Sequence, residues 1–113
     1  SENNMYLISF LLQNNGHDVS QAYDGQDGVS LAKSVHPDLI LLDIQLPKMN
    51  GYEVALELRK DESLKNVPIV AITSYAMPGD QEKALSAGCS GYIKKPINPD
   101  TFLGEIESYL DKK

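Results

Sequence analysis

The sequence predicts an α/β domain, a parallel sheet with helices on both faces, and three observations carry that reading. Asp38-Leu39-Ile40-Leu41-Leu42-Asp43 and Pro68-Ile69-Val70-Ala71-Ile72-Thr73 are short, continuous apolar runs, the pattern of strands buried on both faces, as parallel sheets require. Segments of helical periodicity alternate with them, which is the order that right-handed crossovers produce. Gly and Pro stand singly at the junctions, as punctuation of one fold rather than as linker or low-complexity tract. With 113 residues there is material for one domain and one core, and no repeat or domain boundary interrupts it.

From Asn3 to Asn15 the residues Met5, Ile8, Leu11 and Leu12 recur at helical spacing, and Gly16 stands where a left-handed cap ends a helix. Val19 to Tyr23 reads as a short strand and Asp24-Gly25 as a turn; Gln26 to Val35 reads as a second helix with Val29, Ala32 and Val35 inward. His36-Pro37 stops that helix before the first buried run. A loop through Pro47 and Gly51 leads to a helix from Tyr52 to about Lys60, and the second buried run follows. The next helix spans Pro78 to Ala87 and closes at Gly88, and Tyr92-Ile93-Lys94 makes a last short strand. Asn98-Pro99 supplies an N-cap followed by proline at the first helical position, and Phe102, Ile106, Tyr109 and Leu110 line the inner face of the closing helix. Five helices thus accompany four strands, and the strand expected before the first helix is not in this sequence.

Composition narrows the function. Ten Lys and Arg against sixteen Asp and Glu give a net charge of −6, which opposes binding to nucleic-acid backbones and anionic lipid. The longest apolar stretch, Val67 to Gly79, contains two prolines and falls short of the roughly 20 residues of a spanning helix. No secretory leader is visible, and the single Cys89 cannot form an internal disulfide. The expectation is a soluble, cytoplasmic protein.

Open α/β sheets bind ligands at the carboxyl ends of their strands. Asp43 ends the first buried run, Thr73 ends the second, and Lys95, followed by Pro96, ends the last strand. Each residue alone has an ordinary structural use: Asp as a turn or cap, Thr as a β-branched strand residue, Lys as a solvated charge. Together at one end of consecutive parallel strands they make a carboxylate nucleophile with a hydroxyl and an ammonium to bind phosphoryl oxygens.

Pro37-Asp38-Leu39-Ile40-Leu41-Leu42-Asp43-Ile44-Gln45-Leu46-Pro47-Lys48-Met49-Asn50-Gly51 resembles the phosphoacceptor segment of bacterial response-regulator receiver domains. Ile69-Val70-Ala71-Ile72-Thr73-Ser74 and Gly88-Cys89-Ser90-Gly91-Tyr92-Ile93-Lys94-Lys95-Pro96 resemble two further motifs of that family, at ungapped spacings of 30 and 22 residues. The resemblance covers essentially the whole chain and is nearest to single-domain receivers of cell-cycle type and to receivers of hybrid histidine kinases. It implies the flavodoxin-like, doubly wound sheet of strand order 2-1-3-4-5.

The resemblance also implies a phosphorelay switch that is not an enzyme beyond slow self-dephosphorylation. Asp43 would accept a phosphoryl group from a phosphohistidine on a histidine kinase or phosphotransfer domain, with Mg²⁺ held by Asp43 and the main-chain carbonyl of Gln45. Thr73 would hydrogen-bond the phosphoryl group, Lys95 would pair with it, and Tyr92 would move inward as Thr73 shifts. Gln45, Ser74 and Tyr75 would flank the phosphate, with Tyr75 obstructing the attacking water. Pro96 implies a cis peptide after Lys95. The signal would leave through a downstream protein partner.

One departure from the family pattern has consequences. Receivers carry an acidic pair at the end of their first strand, and Ser1-Glu2-Asn3-Asn4 begins just beyond that place. The magnesium site is therefore expected to be incomplete in this sequence. Loss of a central strand of about five apolar residues removes on the order of 10 kcal/mol of burial. Residues 1–113 are thus expected to be an N-terminally truncated receiver domain, completed by an upstream extension or, in a swapped dimer, by a second chain. Two alternatives remain open: a pseudo-receiver that binds partners without phosphorylation, and an aspartyl-nucleophile phosphatase, against which stands Gln45 where a second acid belongs. His17 and His36 read as turn-flanking, Asp24 and Asp27 as turn and cap residues, Cys89 as a small buried residue, and Met5, Met49 and Met77 are too scattered to form a cofactor box.

Overall fold

The two apolar runs form adjacent parallel strands in the computed structural model, which describes residues 2–44, 51–73 and 79–111. In chain order the elements are α1 (Glu2–Gln13), α2 (Gly25–Val35), β1 (Ile40–Asp43), α3 (Gly51–Arg59), a 3₁₀ turn (Glu62–Leu64), β2 (Ile69–Thr73), α4 (Asp80–Ser86), β3 (Gly91–Lys94) and α5 (Pro99–Asp111). The described sheet has three strands in the order β1-β2-β3. Both pairings are parallel, with Ile40 opposite Ile69 and Val70 opposite Gly91.

The pleat shows why the runs are apolar throughout. Ile40, Leu42, Ile69, Ala71 and Tyr92 pack on one face with Ala32 of α2, Val54, Ala55 and Leu58 of α3 and Ala84 of α4. Leu39, Leu41, Val70, Ile72 and Ile93 pack on the other with Leu12 of α1 and Phe102 and Ile106 of α5. Successive residues of a strand point to opposite sides, so a sheet covered on both sides leaves no position for a polar residue until the strand ends. All five residues of β2, the central strand, are buried.

Local chemistry sets the helix ends. Gly16 takes φ +85 after α1, and His17 N–H reaches back to the carbonyl of Leu12 at 3.1 Å. The Asp24 carboxylate caps α2 by accepting from Asp27 N–H at 2.9 Å, so the Asp24/Asp27 pair is the cap that was expected. Asn98 caps α5 through its side-chain oxygen and the N–H of Asp100. Gly88 closes α4 at φ +101, with Cys89 N–H on the carbonyl of Ala84. His17 also lies 3.4 Å from the Glu107 carboxylate, tying the end of α1 to α5.

Two expectations require correction. Val19 to Tyr23 is not a strand: Val19 and Ala22 are half-buried, Ser20, Gln21 and Tyr23 are exposed, and the segment takes no place in the described sheet. A strand exists through its ladder of hydrogen bonds; in the order 2-1-3-4-5 the only neighbour of this segment is the first strand, and the described sheet starts at β1. The segment is held instead by side chains, with Gln21 donating to the buried Ser9 hydroxyl of α1. Val35 does not face inward but is 47% exposed, because α2 ends there and the chain turns through left-handed His36. Helix α4 is described from Asp80; Pro47, Met49, Met77 and Pro78 lie outside the described residues.

Candidate functional site at the carboxyl edge of the sheet

The parallel register brings the three strand ends to one edge. Ladder bonds run one residue beyond the strands, from Ile44 N–H to the Ile72 carbonyl at 3.0 Å and from Lys95 N–H to the Thr73 carbonyl at 2.8 Å. These bonds fix the levels at which Asp43, Thr73 and Lys95 leave the sheet. By the alternation of the pleat Asp43 and Lys95 fall on the α1/α5 face, while Thr73 and Tyr92 fall on the face covered by α2, α3 and α4.

Asp43 and Lys95 meet there. The Lys95 ammonium donates to Asp43 Oδ2 at 3.0 Å, and the two side chains are only 12% and 23% exposed, respectively. An ion pair this far withdrawn from water is screened less than a surface pair. Thr73 is buried at 4% exposure, beside the pair along the same edge. Tyr92 is half-buried against the core on the Thr73 face. The Lys95–Pro96 peptide is cis, as the sequence implied.

Chemically the arrangement is a carboxylate paired with an ammonium at the mouth of a parallel sheet. A carboxylate oxygen there can act as nucleophile toward phosphorus, and the ammonium can follow the charge onto the incoming group. Magnesium demands near-octahedral oxygen ligation, and among the described residues no group of three or more His, Cys, Asp or Glu converges to supply it. The described residues therefore do not by themselves fit a magnesium centre. Gln45, Ser74 and Tyr75 lie outside the described residues.

His17 and His36 stand apart from this edge, one beside Glu107 and the other ending α2. Cys89 is buried at 5% exposure, and burial pushes its thiol above the ordinary value of 9.0 against the opposing pull of the Arg59 guanidinium. Sequence reasoning missed Arg59. Its side chain donates to the carbonyls of Gly88 (2.8 Å), Leu64 (2.9 Å), Lys65 (3.2 Å) and Val67 (2.7 Å), joining the end of α3 to the loops that enter β2 and β3. Main-chain carbonyls leave no residue pattern, so no spacing in the sequence announces such a cation.

Comparison with known proteins identifies the family. Residues 1–107 match the response regulator receiver domain family. The chain is 43% identical over 110 residues to the polar-differentiation response regulator DivK of Brucella ovis, covering 97% of this chain and 89% of the relative. The receiver domain of a Pseudomonas aeruginosa sensor histidine kinase, described with a magnesium ion coordinated in its active site cleft, superimposes with a TM-score of 0.89 at 32% identity, over 98% of this chain and 91% of that one. The Vibrio cholerae chemotaxis protein CheY4 superimposes with a TM-score of 0.92 at 28% identity, over 96% of this chain and 91% of that one.

Proposed function

The chain belongs to the response regulator receiver family, the phosphoacceptor switches of two-component signalling, and from that premise we propose that Asp43 is its phosphoacceptor. An Asp43 carboxylate oxygen attacks the phosphorus of a phosphohistidine on a histidine kinase or phosphotransfer domain. The new O–P bond forms as the P–N bond breaks, and the electron pair returns to the imidazole. The Lys95 ammonium then pairs with the transferred phosphoryl oxygens, which carry more negative charge than the carboxylate it leaves. The Thr73 hydroxyl donates to the same group, and the Tyr92 ring, on the Thr73 face of β3, follows that shift into the core. A protein partner reads the new surface of α4, β3 and α5. The role is that of an acceptor, with at most slow self-dephosphorylation.

The observation that supports this reading is the Asp43–Lys95 pair at 3.0 Å, set at the carboxyl edge beside buried Thr73. Incubation with a small phosphodonor such as acetyl phosphate, followed by intact mass and peptide mapping, tests it. One phosphoryl group on Asp43, absent from Asp43→Asn, is the expected result. Phosphate on another residue overturns it; steady release of inorganic phosphate without accumulation indicates a phosphatase instead.

A further inference from the structure

At the opposite end of the sheet, where the chain enters β2 and β3, lies a cavity of about 260 Å³. Arg59, Lys65, Asn66, Ser90 and Tyr109 supply its polar lining, with Val67 and Pro68 the remainder. Two cations and no carboxylate line it, on a chain whose net charge is −6. Arg59 is half-buried, and its charge is met by the dipoles of four carbonyls and by no carboxylate among the described residues. Desolvation holds its guanidinium below its ordinary pKa.

Donors remain available around the opening. The four contacts use Nε and Nη1 of Arg59, and Nη2 has no protein acceptor among the described residues. Ser90 Oγ accepts from Ile69 N–H at 3.2 Å, which leaves its hydroxyl proton to donate outward. The Lys65 ammonium and Asn66 amide are exposed at the rim. A planar guanidinium edge, a hydroxyl, an amide and an ammonium around a small open cavity are complementary to the oxygens of a tetrahedral dianion.

We propose that this cavity is a binding site for a phosphate-type oxyanion, either free phosphate or the phosphate of a small monoester, separate from the Asp43 edge. The five residues of β2 lie between the two sites, about 15 Å along the strand. The cavity touches the loops that launch both β2 and β3, so an occupant adds contacts at the roots of the strands that carry Thr73 and Lys95.

Amide chemical shifts of the ¹⁵N-labelled chain, titrated with inorganic phosphate and separately with methyl phosphate at ionic strength held constant with sodium chloride, test the proposal. Saturable shifts at Asn66, Gly88 and Ser90 are expected with one or both probes, and the probe that binds more tightly identifies the source of the oxyanion. Lys65→Glu should weaken that binding about tenfold or more, since it reverses a charge at the rim. Ser90→Ala should weaken it by a smaller factor, and Lys83→Ala on α4 should leave it unchanged. Absence of saturation with either probe, shifts confined to Thr73 and Lys95, or equal losses in Lys65→Glu and Lys83→Ala would overturn it. None of these results bears on whether Asp43 is phosphorylated.

Discussion

The Lys95 ammonium donates to Asp43 Oδ2 at 3.0 Å, joining residues 52 positions apart in sequence at the carboxyl edge of the sheet. The pair orients the carboxylate while leaving it 23% exposed. A nucleophile needs both conditions: a fixed orientation, and an open line of approach. The same cation is already in place for a group that arrives on that carboxylate.

The first prediction is that phosphoryl uptake depends on this cation more than on the rest of the edge. Lys95→Ala should slow labelling of Asp43 by a small phosphodonor about tenfold or more, because an uncompensated phosphoryl charge forms in a partly dehydrated site. Thr73→Ala should label but lose the structural response. Progress curves by intact mass, paired with amide exchange of the labelled forms, separate the two. Equal labelling rates in the parent and Lys95→Ala would contradict the assignment.

The second prediction concerns the response. Thr73 and Tyr92 share a face of the sheet, and Tyr92 is half-buried against the core on that face. Labelling should alter amide exchange in α4, β3 and α5, with α1 and α3 little affected. Changes confined to α1 and α3 would place the output on the opposite surface.

The sequence made the core legible where one physical rule decided the outcome. Apolar runs buried on both faces located β1 and β2, and Gly16, Gly88 and the Asn98-Pro99 cap marked helix ends by local geometry alone. The same logic placed Asp43, Thr73 and Lys95 at one edge, because parallel strands align their ends. Val19 to Tyr23 failed because pairing is decided by a neighbour and not by the segment's own composition. Arg59 was illegible for a related reason: its partners are carbonyls of Gly88 and of the 64–67 turn, and any residue type supplies a carbonyl.

The third prediction follows from that clamp. Arg59→Ala should destabilise the fold by about 2–4 kcal/mol, since the carbonyls of buried Leu64 and Val67 lose a charged donor. Arg59→Lys should recover only part of the loss, because one ammonium cannot reproduce a fork that reaches Gly88 and the 64–67 turn together. Urea unfolding of the three proteins measures both. A loss below about 0.5 kcal/mol for Arg59→Ala would mean that water replaces the clamp.

The fourth prediction is a pH dependence with a fixed sign. Burial raises the Cys89 thiol above its ordinary 9.0, so between the unfolded and folded values the folded chain keeps a proton that the unfolded chain releases. The stabilisation is fully present below the unfolded value and is lost as pH rises through the folded one. Stability should therefore fall above about pH 9, and Cys89→Ala should flatten that limb of the curve. Alkylation of the native protein at pH 8 should be slow beside that of the unfolded chain. Rapid native alkylation, or an identical alkaline slope in Cys89→Ala, would count against a buried neutral thiol.

The last prediction concerns the junction behind Asp43. Gly51 N–H donates to the Ile44 carbonyl at 3.1 Å, starting α3 directly against the end of β1. A Cβ on Gly51 would lie 2.6 Å from the Ile44 Cα and 3.0 Å from the Asp43 carbonyl oxygen. Neither atom belongs to a side chain that can rotate away, so the strand and helix must separate. Gly51→Ala should cost about 1–3 kcal/mol by overpacking and should also slow Asp43 labelling, because the residue that moves is joined to Asp43. Gly104→Ala is the matched control: its Cβ meets nothing within 4 Å, and in the middle of α5 alanine should add about 0.5–1 kcal/mol of stability. Thermal unfolding and phosphodonor labelling of both variants give the comparison. If Gly51→Ala matches the parent in both, the close approach of α3 to β1 is not what positions Asp43.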